Sequence, residues 1–304
     1  MISYKGLENK LKERGIGRSE LTKLLGMSSR TIAKIKRREK LSRTVLDKLA
    51  AYFSCTADEL CRDISDNPIL QTLREEKDAK ISGGLYHELQ IRMTYNSNHI
   101  EGSRLTEDQT RLIFETNTLN AGDGVPVDDV LETLHHFRAI DYVIDCAEDT
   151  LSEEIVKRLH YILMHDTNNS TLDWFAVGDY KKRPNVVGGR ETVKPKDVPA
   201  KMKELIERYN ARENLQIKDI ISFHAEFERI HPFQDGNGRV GRLIALKECL
   251  RFNIVPFLIE DKKKAFYYRG LSEWEREKGW LTDTCLDGQD TFKALLKTFD
   301  INIK

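Results

Sequence analysis

Twelve consecutive residues, His231-Pro232-Phe233-Gln234-Asp235-Gly236-Asn237-Gly238-Arg239-Val240-Gly241-Arg242, gather an imidazole, a carboxylate, an amide, three glycines and two arginines. These are the parts needed to hold a metal-bound polyphosphate and to take a proton from something beside it. An imidazole titrates near neutrality and serves as a general base, which points to His231. Asp235 is a hard oxygen ligand of the kind Mg²⁺ takes beside phosphates. Gly236 and Gly238 let backbone N–H groups approach an anion closely, and a helix starting there adds the positive end of its dipole. Arg239 and Arg242, three apart, share a helix face from which planar guanidinium forks clamp phosphate oxygens. The plain alternative, a glycine turn between packed helices with surface arginines, asks for none of these types in combination.

Two helices must carry this corner. Ile220, Phe223, Phe227 and Ile230 recur at steps of three and four, so Asp219–Ile230 reads as an amphipathic helix. Pro232 lacks an N–H and disfavours helix in the residue before it, which ends that helix at His231. Val240, Leu243, Ile244, Cys249 and Leu250 then read as a second, largely buried helix. Further helices are expected over 85–100, 105–116, 128–146 and 152–164, with a closing C-terminal helix over 291–299. His135, His136, His160 and His165 show no consistent ligand spacing and read as packing or surface histidines. Residues 172–193 lack a helical period, and two β-leaning segments flank Gly188-Gly189, a hairpin signal. The fold class is therefore all-α with one small β-hairpin.

The twelve residues resemble, at every defined position, the signature of the Fic family, H-P-F-x-[D/E]-G-N-[G/K]-R-x-x-R. The resemblance implies a Fic-type helical core and transfer of AMP from ATP to a Ser, Thr or Tyr hydroxyl of a target protein, or of the enzyme itself. It implies His231 as the base and Asp235 as the holder of a Mg²⁺ ion bridging the α- and β-phosphates. Asn237 and the backbone of Gly236 and Gly238 would hold the phosphates, Arg239 would help position them, and Arg242 would bind the γ-phosphate. Relatives that phosphorylate carry lysine where Gly238 stands, so Gly238 favours nucleotidyl transfer. Tyr268, with Leu271, matches a Y-x-x-L stretch that packs near the adenine. In the family a hairpin flap docks the target as an added strand, and Val186, Val187, Thr192 and Val193 would form that edge. Such a mode reads backbone more than side-chain identity, so the flap names no target.

Ser97 and Glu101 lie four apart on one helix face, and Gly102 suits a helix end. With the signature present, Ser97-x-x-x-Glu101-Gly102 resembles the family's inhibitory motif, [S/T]-x-x-x-E-[G/N]. By that resemblance Glu101 pairs with Arg242 in place of the γ-phosphate, because a carboxylate and a phosphate compete for one guanidinium. The reverse reaction, removal of AMP with Glu101 orienting a water, and a different nucleotide donor both stay open.

Residues 1–65 read as a small helical domain with helices over 7–13, 19–25, 29–36, 43–53 and 57–61. Gly15 and Gly26 break the first two, and Ser28 is a candidate N-cap for the third. Leu21, Leu24, Leu25, Ile32 and Ile35 are expected inside. The helix pair flanking Gly26-Met27-Ser28 has helix-turn-helix spacing, and the segment resembles Xre/Cro-like DNA-binding domains. That implies Ser29, Arg30 and Lys34 at base edges, Lys36, Arg37 and Arg38 on phosphate, and a homodimer on a two-fold site. The segment carries 15 Lys/Arg against 8 Asp/Glu, while the whole chain is neutral. A rival reading follows, a DNA-binding transcriptional regulator whose Fic domain senses nucleotide. Residues 66–84, with Asn67-Pro68 and Gly83-Gly84, read as a linker, and 85–304 as the Fic domain.

The sequence has 304 residues, 39% hydrophobic and 32% charged, as in soluble globular chains. No apolar run reaches the roughly 18 residues a membrane helix requires. Met1-Ile2-Ser3-Tyr4-Lys5 starts no signal peptide. Five scattered cysteines suit a reducing cytoplasm better than disulfides or a zinc site.

Overall fold

A computed structural model describes residues 2–63, 67–120 and 124–303, and it divides into two compact units between Gln71 and Thr72. The end of the 1–65 segment thus lies outside the described residues. The first unit runs β1 (Ile2–Ser3), α1 (Lys5–Glu13), α2 (Leu21–Leu25), α3 (Ser29–Lys36), α4 (Arg43–Phe53), α5 (Ala57–Leu60) and β2 (Arg62–Asp63). Gly26 ends α2 in the left-handed conformation, and the Ser28 hydroxyl accepts the Thr31 N–H to cap α3, as its residue type predicts. Leu7, Leu21, Ile35, Leu49 and Leu60 make the core. β1 pairs antiparallel with β2, Ile2 opposite Asp63, which ties the ends of the unit together and was not expected.

Leu24 corrects the expected core, because it is 48% exposed. In a helix as short as α2, Leu25 lies nearer the direction of Leu21 than Leu24 does, and Met27 fills the inward place after the glycine cap.

The second unit is helical. α6 (Pro68–Ala79) begins inside the expected linker, runs across the division at Gln71–Thr72, and is capped by Asn67, whose side chain accepts the Leu70 N–H. It is followed by α7 (Leu85–Ile100), α8 (Glu107–Thr116), α9 (Val127–Asp145) and α10 (Glu153–Met164). The hairpin β3 (Val186–Val187) and β4 (Arg190–Glu191) precedes α11 (Val198–Asn210), a helix the sequence reading did not assign. Then come α12 (Ile217–Ile230), α13 (Asn237–Arg251), α14 (Lys264–Glu273) and α15 (Gly279–Thr298). α15 starts twelve residues before the expected 291–299 helix. Its glycine-bearing half packs on α14 and on the Leu258 backbone, where Gly270 and Gly288 allow close approach. No helix among the described residues is long and apolar enough to cross a membrane.

α13 is buried all round, packing on α7, α9, α10 and α12. Burying a charge is costly unless it is paired, and each charge on α13 inside the core is held. Lys247 pairs with Glu248 at 2.6 Å and donates to the Ala147 and Asp149 carbonyls. Arg239 and Arg242, at the other end of the helix, take their partners from α9 and α7, and that end is the site.

Candidate active site

The corner between α12 and α13 is built as its sequence requires. His231 ends α12 in the left-handed conformation at φ 52°, and Gly236 starts α13 at φ 77°. Asn237 closes the loop between them, its Oδ1 accepting the Phe233 N–H at 2.8 Å and its Nδ2 donating to the Phe233 carbonyl at 2.9 Å. Its side chain therefore shapes the loop, and the backbone of 236–238 is the part left to meet a ligand. Phe233 is stacked on His160 of α10 with centroids 3.9 Å apart, and His160 Nδ1 accepts the Gly178 N–H. His160 is thus a packing histidine. So are His135 and His136, which bond to the Leu163 carbonyl and the Thr94 hydroxyl.

Burial, helped by the nearby Lys181 ammonium, pulls the His231 imidazole down to about 4, so it is a neutral base at pH 7. Its Nδ1 is buried, which leaves Nε2 as the nitrogen available to a substrate. Lys181 was singled out by no sequence signal. It is 3% exposed, its peptide N–H donates to the Pro232 carbonyl at 2.9 Å, and burial pulls its own ammonium down to about 8.

Arg242 is held from α7. Its Nε donates to Ser97 Oγ at 3.0 Å, and its Nη2 to the Ser97 carbonyl at 2.8 Å and to Glu101 Oε1 at 2.7 Å. The Glu101 carboxylate stands over the first turn of α13, where a Cβ added to Gly238 would lie 2.1 Å from Oε1. An acidic group there has both the dipole and the guanidinium to favour it. Gly102 follows at φ 107° and lets the chain turn away from α7. Behind Arg242 sits a cluster the sequence reading missed. Tyr267 OH is 3.4 Å from Arg242 Nη1 and 2.7 Å from His224 Nε2, and Glu228 beside them is half-buried, with its Oε1 buried and unpartnered. Burial, and then the Glu101 charge, push the Glu228 carboxyl up to about 8. These residues lie on the inner faces of α12 and α14 and read as ordinary core positions by spacing.

Arg239 takes its partner from α9, Glu132 at 2.5 Å, with Asp235 further off at 3.9 Å. Burial raises the Glu132 carboxyl, and Arg239 opposes that rise. Asp235 is partly exposed, its Oδ2 accepting from Asn169 Nδ2 at 3.0 Å and its Oδ1 from the Gly236 N–H at 2.6 Å. Among the described residues no cage of three ligands converges. One open carboxylate beside a phosphate loop fits an ion that arrives on a polyphosphate, since Mg²⁺ keeps waters and binds phosphates with one or two carboxylates.

Tyr268 is partly exposed, its hydroxyl donating to the Ile100 carbonyl at 3.2 Å. In the hairpin Val186 pairs with Glu191 and Val187 with Arg190 around Gly188-Gly189, both glycines at positive φ. The regular strands are shorter than the expected edge. Arg190 and Glu191 form the second strand, because the two-residue glycine turn sets the register. Thr192 follows it, its N–H donating across the hairpin to the Asn185 carbonyl at 3.3 Å, and Val193 lies beyond. Thr192 instead ties the base of the hairpin, its hydroxyl bonding Lys181 Nζ at 2.6 Å. In the first unit Ser29, Arg30 and Lys36 of α3 are exposed, Lys34 is half-buried, and Arg37 pairs with Glu39 at 2.7 Å. Arg38 ends the turn at φ 55° with its carbonyl accepting the Ile2 N–H.

Residues 150–249 match the Fic/DOC family, and residues 6–66 match the Cro/C1-type HTH DNA-binding domain. Protein adenylyltransferase Fic of Drosophila erecta is 30% identical over 182 residues, 58% of this chain and 35% of that protein. The protein of the same name from Drosophila yakuba is 29% identical over 219 residues, 68% and 43% of the two chains. The chain spans less than half the length of these curated relatives. Among solved structures, a Fic domain containing signaling protein from Bacteroides thetaiotaomicron is 24% identical with a TM-score of 0.62, covering 79% of this chain and 96% of that one. Fic-1 from C. elegans is 17% identical with a TM-score of 0.59, covering 85% and 78%. These likenesses show the fold.

Proposed function

We propose that this chain, which carries a Fic/DOC domain and an N-terminal Cro/C1-type helix-turn-helix domain, is a protein adenylyltransferase restrained by Glu101. The observation that carries the reading is Arg242, held by Ser97 and Glu101 over the first turn of α13, on the corner that presents neutral His231. A polyphosphate has the backbone of 236–238, Arg239 and Arg242 to receive it, and Asp235 to share its Mg²⁺. The ion, when bound, offsets charge on the phosphates. A Ser, Thr or Tyr hydroxyl lying along the hairpin gives its proton to His231 as its oxygen bonds the α-phosphorus. The bond from that phosphorus to the bridging oxygen breaks, and pyrophosphate leaves.

Glu101 opposes this sequence. While its carboxylate holds Arg242, the guanidinium cannot take the γ-phosphate, and ATP lacks its outermost anchor. A second role is supported by the exposed basic side of α3, through which the first unit would bind DNA.

The test uses Mg²⁺ and ATP labelled on the α-phosphate, with wild type, Glu101→Gly and His231→Ala side by side and mass spectrometry of any labelled band. Label is expected in the first two, more in Glu101→Gly, and none in His231→Ala. Washing labelled protein free of ATP and following its label then reads the reverse reaction. ATP bound without label in any of the three would overturn the reading in favour of a nucleotide-sensing regulator.

A further inference from the structure

The hairpin beside the catalytic corner carries an unbalanced charge. Lys182, Arg183, Arg190, Lys194 and Lys196 are exposed, and among the described residues none of them pairs with a carboxylate. Arg183 lies over the Trp174 ring at 5.2 Å. The neighbouring Asp179 is taken by Lys157 at 2.8 Å, which leaves Glu191 and Asp197 to oppose five cations between residues 182 and 197. Val186 and Val187 are exposed, so the hairpin covers neither strand with a core. A two-stranded hairpin also leaves outward N–H and C=O groups on each strand, ready to pair with another chain.

The hairpin is tied at its base. Lys181 Nζ donates to Asn185 Oδ1 at 2.8 Å and to Thr192 Oγ1 at 2.6 Å, one before β3 and one after β4. The Lys181 peptide N–H donates to the Pro232 carbonyl, next to His231. A chain laid on this hairpin is therefore placed in register with the base.

We propose that the segment this hairpin receives is an extended, acidic stretch of a protein, with carboxylates flanking the hydroxyl to be modified. The proposal rests on the adenylyltransferase reading and deepens it by naming the class of target. Strand pairing fixes the backbone, and successive side chains then project to alternate faces. Carboxylates among them meet the lysines and arginines, which favours acidic segments in encounter and in register, while basic segments are repelled. A nucleic acid would also satisfy the cations, but it has no peptide groups to offer the strand edges.

Two fluorescent peptides with one central threonine, flanked either by Asp and Glu or by Lys and Arg, are titrated into the full chain and followed by anisotropy. Both are then offered to Glu101→Gly with labelled ATP. The acidic peptide is expected to bind roughly tenfold tighter, the scale of several exposed ion pairs acting together. The preference should shrink as salt screens those pairs. It should be lost in Lys182→Glu/Arg190→Glu and kept in Lys218→Glu/Lys297→Glu, which makes the same change in net charge on α12 and α15. Equal binding, no binding, or a preference untouched by the hairpin reversal overturns the proposal. So does an oligonucleotide that binds through Lys182 and Arg190 while neither peptide does. Acidic binding of the expected pattern without label in any variant leaves the charge preference standing and removes the adenylyl-transfer reading.

Discussion

At the scale of single residues the site is organised by burial. His231 and Glu228, on one helix, are driven in opposite senses from their usual protonation, the imidazole down to about 4 and the carboxyl up to about 8. Both are therefore neutral near pH 7, one as a base with a free lone pair and one as an acid that retains its proton. His231→Ala should lower kcat by roughly 10²–10⁴-fold, the usual worth of a general base. In the wild type, kcat/KM should stay level on the acid side down to about pH 5 and fall with an apparent pKa of about 4. Lys181→Met removes a positive charge beside the imidazole, so that acid limb should move to higher pH; an unmoved limb would show Lys181 acts only on the hairpin. Glu228 has a folded pKa above its ordinary 4.5, so its share of stability is full below that value and is lost as pH rises toward 8. Glu228→Gln should flatten that decline, read as the difference in Tm between variant and wild type across the same pH window.

At the scale of elements the decisive contact is α7 against α13. Arg242 has four hydrogen-bond contacts, and Glu101 supplies the one that carries full negative charge. Glu101→Gly leaves a buried guanidinium short of its counter-charge, which costs stability. A polyphosphate restores that charge, and a ligand stabilises in proportion to its affinity. Mg²⁺–ATP should therefore raise Tm more in Glu101→Gly than in wild type; an equal shift in both would count against Glu101 as the competitor. The crossing of α14 on α15 depends on Gly270, where an added Cβ would lie 2.6 Å from Leu281 Cα. Because the obstruction is backbone, Gly270→Ala should cost about 1–3 kcal/mol in chemical denaturation, as overpacking does.

At the scale of the whole molecule charge is divided between the parts. Residues 1–65 carry 15 basic against 8 acidic side chains, although the chain is neutral overall. A head that contacts phosphates releases counterions, so DNA affinity of the full chain should fall steeply with salt, with log K changing by about −0.9 per phosphate contacted for each unit of log salt. Lys36→Ala, at the end of α3, should weaken binding to all sequences and reduce that slope by about one. Arg30→Ala, on the exposed side of α3 that the helix-turn-helix resemblance assigns to base edges, should instead relax sequence preference. A salt slope near zero would remove DNA binding from the proposed functions of this chain.

The motif of 231–242, the helix periods around it and the glycine turn of the hairpin were all legible in the sequence, because each is a local rule. A proline ends a helix, a glycine takes positive φ, and apolar residues recur every three or four places. The helices of the first unit followed for the same reason, down to the Ser28 cap, although Arg18–Glu20 forms a 3₁₀ turn where the second helix was expected to begin. What stayed hidden was partnership between distant segments. Glu132 on Arg239, Lys181 under His231, and His224 and Tyr267 behind Arg242 come from elements far apart in the chain, and their spacing marks them as ordinary surface or core residues. The hairpin register and the long α15 were likewise settled by what packs against them. The sequence by itself determined which chemistry the corner could hold. Only the tertiary structure decided the charge state of its groups and which anion now sits on Arg242, because burial and the nearness of charges belong to the packed chain.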